Sequence, residues 1–477
     1  MIEQIEKIKD ITVLIYGDMM VDKYVNGTVS RISPEAPVPV LTVTDKFSKL
    51  GGAGNVIDNI VSLGASVKVI GYLGNDMEGD WAKKALTERG VDTSLLLQYE
   101  DCRTITKTRL TSKKQQFLRA DEEIIKPAPK EYFDYMKRNV DKLFDGVQVA
   151  IVSDYGKGAV TEETAQLIIS EAIKRNIPVF VDPKGKDYTK YKGATVCTPN
   201  MNEIRLVSGE KLETEDELRK TGEKLRKELK IDNFAVTRSE KGITLFEEGQ
   251  INDFPAISKD VIDVSGAGDT VVATMACLYG CGIDLQKCCK LANLAASVVC
   301  SKFGTATLSL NELMEQIANS RQFKYVTLQN AKYIVDSLKE KGKKIVFTNG
   351  CFDMLHAGHL SSFMQAKEYG DILIVAVNSD RSVKANKGDE RPIISEKYRI
   401  EMLCALEVVD YVVLMDEDNP INIISTLQPD ITVKGKDWEN KELPERKVVE
   451  GYGGCVKFIE MKGTLSTTNI IKKIRNE

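Results

Sequence analysis

Short runs of aliphatic and β-branched residues alternate with stretches of helical periodicity through the first three hundred residues of the chain. Ile11-Thr12-Val13-Leu14-Ile15-Tyr16 stops at Gly17-Asp18, and Val149 to Ser153, Val179 to Asp182 and Thr195 to Thr198 repeat that form. A short apolar run ended by a polar residue is the pattern of a strand buried in a sheet with helices on its faces. Between the runs the periodicity predicts helices, such as Thr161 to Arg175, opened by a threonine with Glu162 and Glu163 in its first turn. The alternation begins again near Lys344, with a strand at Ile345-Val346-Phe347, a helix over His359 to Tyr369 and a strand over Ile372 to Val377. Glu396 to Leu406, Tyr411 to Leu414 and Ile421 to Leu427 continue it. The polar, helical-looking stretch between the two series has no glycine-serine or proline-rich linker, which predicts semi-rigid docking. The expected architecture is α/β twice over: a larger domain over 1–318, a helical connector over 319–343 and a smaller parallel-sheet domain over 344–477.

Composition narrows the functions. A chain of 477 residues with 42% hydrophobic and 29% charged residues is ordinary globular material in more than one domain. Its net charge of -4, from 66 basic and 70 acidic side chains, offers no excess positive charge for a nucleic acid backbone. The start of the chain has no apolar signal region, and no stretch reaches 18 uncharged apolar residues. A cytoplasmic protein with no membrane partner is therefore expected, its ten cysteines reduced. Cys277, Cys281, Cys288 and Cys289 lack paired spacing and a nearby histidine, so they are expected to pack helices rather than hold zinc.

No Walker-type phosphate loop occurs, but Val264-Ser265-Gly266-Ala267-Gly268-Asp269-Thr270 precedes an apolar helical run, Val271 to Leu278. Small residues at a helix start let backbone N–H groups converge on an anion, with the helix dipole favouring negative charge. Asp269 beside that hole is placed to take a proton from a substrate hydroxyl, with Gly266 and Gly268 at the phosphate. A glycine-bearing turn whose aspartate merely caps a helix has the same sequence. Gly51-Gly52-Ala53-Gly54-Asn55 suits a polyhydroxy ligand, with Gly52 at the close approach and Asn55 as donor and acceptor. Asp18 and Asp22, just past the first strand, are candidates for further sugar hydroxyls. Asn200, Met201, Asn202 and Glu203 follow a strand, and Glu203 suits the water shell of a magnesium ion bound with ATP. Thr237 to Gly242 is a polar turn suited to a nucleotide's phosphates or ribose. Lys107, Arg109, Lys113, Lys114 and Arg119 form a basic stretch that suits a phosphorylated substrate and equally a solvated strand edge.

Gly51 to Asn55, Asn200 to Glu203 and Gly266 to Asp269 stand in the order and spacing of the ribokinase (PfkB-type) carbohydrate kinases. That resemblance covers about residues 1 to 318. It implies a ribokinase-like domain with Asp269 as catalytic base, Gly266 to Gly268 as anion hole and Asn200 and Glu203 as the N-x-x-E motif.

The chain has two histidines, three apart, in Asn349-Gly350-Cys351-Phe352-Asp353-Met354-Leu355-His356-Ala357-Gly358-His359. This segment follows a strand and opens a helix. His356 and His359 can donate hydrogen bonds to an α-phosphate as it becomes five-coordinate, and Gly358 lets phosphates approach the backbone. A zinc site from Cys351, His356 and His359 lacks an evident fourth ligand. The H-x-G-H pattern resembles the cytidylyltransferase-like nucleotidyltransferases, which implies a smaller Rossmann-like domain. The resemblance places nucleotide contacts at Asn349, Gly350, Phe352 and Gly358 and catalysis at His356 and His359. Thr464-Leu465-Ser466-Thr467-Thr468 looks like that superfamily's I-S-T-T segment, with Leu465 for isoleucine, and the same hydroxyls also suit a helix cap. Lys387 is either a triphosphate contact or a solvated loop lysine.

A kinase placed before a nucleotidyltransferase suggests consecutive steps on one sugar. Arg31 to Val40, Gly51 to Val56, Asp182-Pro183-Lys184-Gly185, the histidine loop and Lys434-Gly435-Lys436-Asp437-Trp438 together resemble the bifunctional heptose-phosphate kinase/adenylyltransferases of lipopolysaccharide core synthesis. That resemblance implies ATP, heptose 7-phosphate and heptose 1-phosphate as ligands and a homodimer. A kinase–cytidylyltransferase acting on another polyol phosphate and a non-catalytic nucleotide-sensing scaffold are the alternatives.

Overall fold

The computed structural model describes residues 2–112, 115–257, 261–302, 304–319 and 324–460. The chain forms two compact units, Gln4–Leu313 and Met1–Glu3 with Met314–Glu477.

The first unit is built on a nine-stranded sheet in the spatial order Gln250–Phe254, Ile243–Glu247, Asn233–Thr237, Val196–Cys197, Val179–Asp182, Val149–Ser153, Thr12–Gly17, Ser66–Gly74, Asp92–Tyr99. Both pairings of Ile243–Glu247 are antiparallel, and every other pairing is parallel. Val13 to Tyr16 and Val149 to Val152 are fully buried, as the unbroken apolar runs predict. On one face Leu14, Tyr16, Ala150 and Val152 pack against Ala165, Ile168, Ile169 and Ala172 of the helix Glu162–Lys174. Thr161 caps that helix, and Thr164 returns the bond to complete a capping box.

A second sheet of four strands, ordered Pro39–Gly52, Met19–Ile32, Ile105–Ser112, Gln115–Glu122, was not evident from apolar patterning. Its last strand is exposed along its whole length, so no apolar run marks it. The chain passes from the first large-sheet strand through Asp18 into Met19–Ile32, returns by Pro39–Gly52 and enters the helix Ala53–Ser62. The residues expected to meet a sugar therefore lie where the two sheets join.

The second unit carries six strands, all parallel, in the order Tyr325–Val326, Tyr411–Met415, Ile372–Asn378, Ile345–Gly350, Ile431–Gly435, Cys455–Ile459. Strand order reverses between Ile345–Gly350 and Ile431–Gly435, the place where open α/β sheets leave a crevice. Ile345 and Phe347 point into one core with Ile334, Val335 and Ile424, while Val346 points into another with Phe363 and Leu403. Ile334 and Val335 belong to the helix Leu328–Glu340, within the stretch expected to connect the domains. No helix among the described residues is long and apolar enough to cross a membrane.

Candidate active sites

The helix Ala267–Gly280 is apolar and buried from Thr270 to Leu278, and its first turn opens on a cleft. Gly266 precedes it with φ of 81°, a left-handed conformation that glycine adopts without strain. A Cβ there would also stand 2.9 Å from Asn55 Nδ2, whereas a Cβ on Gly268 would meet nothing within 4 Å. The open space above Gly268 is what an incoming phosphoryl group needs. Asp269 is buried in the same turn, and both its oxygens are held: Tyr155 Oη donates to Oδ1 and Asn55 Nδ2 donates to Oδ2. Burial pushes its carboxyl above the usual range, the bonds from Tyr155 and Asn55 oppose that, and the charge of Asp22 adds to it. Burial and the charge of Asp269 hold the Tyr155 phenol well above its ordinary value, so it remains a donor.

Asp22, Gly52, Asn55, Arg109, Gly266, Gly268 and Asp269 line one cleft of about 240 Å³, together with Tyr155 and Lys107. Arg109 is committed to Asp22, its NH1 donating to Oδ1 at 2.7 Å. Lys107 makes no ion pair among the described residues, although it lies opposite Asp22 in the strand register. Arg119 is bonded to Asp121 at 2.8 Å. The Asp18 carboxylate accepts the backbone N–H groups of Tyr155, Lys157 and Ala159 at 2.8, 3.0 and 2.9 Å, so it holds the turn that carries Tyr155. Lys113 and Lys114 lie outside the described residues.

The expected nucleotide residues sit along the same carboxyl edge of the sheet. Asn200 caps the helix Met201–Ser208, accepting from the backbone N–H groups of Asn202 and Glu203, while Glu203 Oε2 accepts from Asn200 N at 2.9 Å. Thr237 bridges to Asn200, and Met201 packs against the core. Asn202 is exposed. At Gly242 a Cβ would fall 2.1 Å from Phe254 O, so the packing itself requires a glycine there. Glu203 Oε1 is paired with Lys184 at 2.8 Å, which competes with the water shell expected around it. The carboxylate of Asp182, at the end of the strand Val179–Asp182, has no hydrogen-bond partner among the described residues, while its backbone oxygen accepts from Asp154 N at 3.0 Å. Its carboxyl is driven well above the usual range by burial and by the charges of Asp269 and Glu203. A cation beside Asp182 and Glu203 would relieve that repulsion, so these residues fit a metal ion carried with ATP.

In the second unit the strand Ile345–Gly350 runs into the histidine loop and the helix Ala357–Lys367. His356 caps that helix, its Nδ1 accepting from Gly358 N at 3.2 Å, which leaves the proton on Nε2. The two imidazoles stack at 4.0 Å between centroids and 29° between planes. His359 Nδ1 is buried with no partner among the described residues. Burial, then the nearby His356 and the charge of Lys387, lower His359 from 6.5 to about 4, and burial also lowers His356. Both rings are therefore neutral donors at pH 7. Phe352 is 8% exposed, edge-on to His359 at 5.4 Å and packed on Phe363, so its ring supports the histidine. Its ring also lies over Gly350, where a Cβ would come within 2.9 Å of it. Ser466, Thr467 and Thr468 lie outside the described residues.

Several residues here escaped the sequence. Asp353 is buried and accepts from Ile393 N at 2.7 Å and Ile394 N at 2.9 Å while pairing with Arg391, which ties the loop after Lys387 to the histidine loop. Arg399 is fully buried and donates to Cys351 O at 2.5 Å, Asn378 O at 2.7 Å and Ile394 O at 2.9 Å, and it pairs with Asp380 at 2.7 Å. An arginine on a short helix among Glu396, Lys397 and Glu401 reads as solvated until its neighbours are known. Tyr155 likewise carried no motif beyond its place after an apolar strand.

Residues 10–312 match the pfkB family carbohydrate kinases, and residues 347–473 match the cytidylyltransferase-like family. Over nearly its whole length the chain is similar to curated relatives named bifunctional protein HldE. That of Geotalea uraniireducens is 40% identical over 471 residues, covering 98% of this chain and 96% of the relative. That of Campylobacter concisus is 42% identical over 472 residues, 98% of each. Among solved structures, Arabidopsis thaliana ribokinase complexed with ribose and ATP has a TM-score of 0.51 at 18% identity, covering 64% of this chain and 98% of that one. Phosphofructokinase-2 from Escherichia coli with substrates and products gives 0.54 at 18% identity, covering 64% and 97%. At that identity these structures establish the fold of the first unit.

The histidine pair yields a direct test. The chain has two histidines, so a proton NMR titration contains two imidazole signals. The His359 signal is expected to titrate near pH 4 in the free protein, and a midpoint at 6.5 or above would contradict the buried, uncharged pair. Because the folded value lies below the unfolded one, the neutral ring contributes to stability above about pH 6.5 and loses that contribution as pH falls toward 4.

Proposed function

The chain belongs to the HldE family of bifunctional proteins, a carbohydrate kinase followed by a nucleotidyltransferase, and from that premise we propose how its two sites divide the work. It acts as a heptose kinase and an adenylyltransferase. The kinase phosphorylates the anomeric hydroxyl of D-glycero-β-D-manno-heptose 7-phosphate, and the transferase joins heptose 1-phosphate to the adenylyl group of ATP, releasing pyrophosphate. The product, ADP-heptose, feeds lipopolysaccharide core synthesis.

At the kinase site Asp269 takes the proton of the anomeric hydroxyl as that oxygen attacks the γ-phosphorus. Tyr155 and Asn55 hold the carboxylate in place, and its raised proton affinity suits a base. The N–H groups at Gly266 to Gly268 take the charge of the moving phosphoryl group. Asn200, Thr237 and the neighbouring edge face ATP. Members of the two families act on ATP with a divalent metal, here assigned as Mg2+, which Asp182 and Glu203 would hold. The metal neutralises phosphate charge when bound. Lys107, uncommitted to any carboxylate, grips the 7-phosphate in place of Arg109, which serves to orient Asp22.

At the transferase site the neutral imidazoles of His356 and His359 donate to the α-phosphate while an oxygen of heptose 1-phosphate attacks it. No covalent enzyme intermediate is needed. Lys387, Gly358 and the hydroxyls of Ser466, Thr467 and Thr468 complete the grip on the triphosphate. The observation that carries the two-site reading is the pairing of a buried carboxylate at one glycine-bearing helix start with neutral stacked histidines at the other.

The protein acts as a homodimer through the four-stranded sheet of the first unit. The strands of that sheet and the turn before Pro39 expose Ile32, Val38, Val43, Phe47, Phe117 and Leu118, apolar side chains that pairing with a second copy would remove from water.

Three outcomes are expected. Asp269→Asn lowers phosphorylation by at least about 100-fold and leaves adenylyl transfer from supplied heptose 1-phosphate intact, while His356→Ala does the reverse. Loss of both activities in either variant would contradict separate sites. Lys107→Met raises KM for heptose 7-phosphate at least about 10-fold with KM for ATP unchanged, and an unchanged sugar KM would remove Lys107 from the site. Light scattering gives twice the chain mass for the wild type and the chain mass for Phe117→Glu/Leu118→Glu, and a wild-type monomer would contradict the dimer.

A further inference from the structure

The segment Lys434-Gly435-Lys436-Asp437-Trp438 has no part in the chemistry assigned so far, and its first lysine stands where the strand order reverses. The strand Ile431–Gly435 lies beside Ile345–Gly350, with Val346 opposite Ile431 and Phe347 opposite Thr432. Thr348 Oγ1 donates to Val433 O at 3.1 Å, which carries the alignment toward the strand ends. There Lys434 Nζ donates to Asn349 Oδ1 at 2.9 Å and forms an ion pair with Glu445 at 2.5 Å. Glu445 sits in the first turn of the helix Pro444–Gly451. The Lys434 and Glu445 side chains are 12% and 5% exposed, so this is a buried pair.

A lysine ammonium has three donors and no acceptor, so only the carbonyl oxygen of the Asn349 amide can face it. The amide NH2 is thereby turned the other way. It has no acceptor among the described residues, and the half-buried Asn349 stands at the strand end directly before the histidine loop. Lys434 is matched by Glu445, so the pair contributes orientation and no net charge to that crevice. Without it, either end of the amide could face the site, and one of the two presents an oxygen to an anion.

We propose that Lys434 and Glu445 are positioning residues that lock the Asn349 amide, so that its Nδ2–H group donates to a phosphate oxygen during nucleotidyl transfer. The inference rests on the nucleotidyl-transfer reading of this unit. Its physical basis is preorganisation: a donor fixed before substrate arrives needs no reorientation as charge develops.

The test uses the full chain, with phosphorylation by the first unit as the internal reference for enzyme concentration and thermal melting as the check on folding of the second. Asn349→Asp keeps an oxygen for Lys434 but replaces the donor by a second oxygen. Its adenylyl transfer from ATP to heptose 1-phosphate is expected to fall by about 100-fold, with thermal stability and phosphorylation retained. Lys434→Met/Glu445→Gln removes the lock without leaving a buried charge, and a loss of about 10- to 100-fold in transfer is expected. Lys434→Arg, also a pure donor, restores part of it. Whether KM rises for ATP or for heptose 1-phosphate identifies the phosphate that Asn349 meets. Wild-type transfer by Asn349→Asp, or an unchanged kcat and KM in the folded double variant, would overturn the proposal. Absence of transfer in the wild type would instead overturn the reading on which it rests.

Discussion

Hydrogen bonds between parallel strands fix the direction of every strand they join, and so gather all the carboxyl ends on one edge of the sheet. Both chemistries of this chain depend on that edge. In the first unit it collects Asp18, Asp154, Asp182 and Asn200, each just past or at the end of a strand, and faces the start of the helix Ala267–Gly280. In the second it collects Asn349, Asn378 and Lys434 around the start of the helix Ala357–Lys367. Crossover helices are needed to cover such a sheet, and their N-termini then point unsatisfied N–H groups at the same edge. A phosphate group finds at both places a field that the fold itself provides.

Burial acts on the two sites through one effect with opposite uses. Removing a charged group from water favours its neutral form, which raises a carboxyl and lowers an imidazole. For Asp269 this strengthens a base that Tyr155 and Asn55 still hold in position. For His356 and His359 it yields uncharged rings, with the proton of His356 on Nε2 available to a phosphate oxygen. The residues around each centre are mostly occupied in holding others: Asp18 holds the turn of Tyr155, Arg109 holds Asp22, and Arg399 and Asp353 hold the histidine loop. That division explains why so few side chains in either crevice are uncommitted.

The sheets, the crossover helices and the three glycine-bearing or histidine-bearing turns were legible from apolar runs and local spacing. These features depend on residues close together in sequence. The four-stranded sheet was not, because Gln115–Glu122 is exposed throughout and carries no alternation. Gly242, Phe352 and Asp18 were read from their types and local spacing alone. Their contacts with Phe254 O, with His359 and Phe363, and with the amides of Tyr155, Lys157 and Ala159 are tertiary and no local pattern records them. Arg399 and Tyr155 were missed for the same reason. A charged residue on a helix reads as solvated, and only folding shows Arg399 to be fully enclosed.

The central claim is that one chain directs attack at two different phosphorus atoms of ATP from two helix starts. Tracing phosphorus label tests it most directly. With heptose 7-phosphate, label from the γ position is expected on carbon 1 of the sugar. With heptose 1-phosphate, label from the α position is expected in ADP-heptose, with unlabelled pyrophosphate released. Failure of γ label to reach the sugar, or recovery of α label only as AMP, would contradict the account.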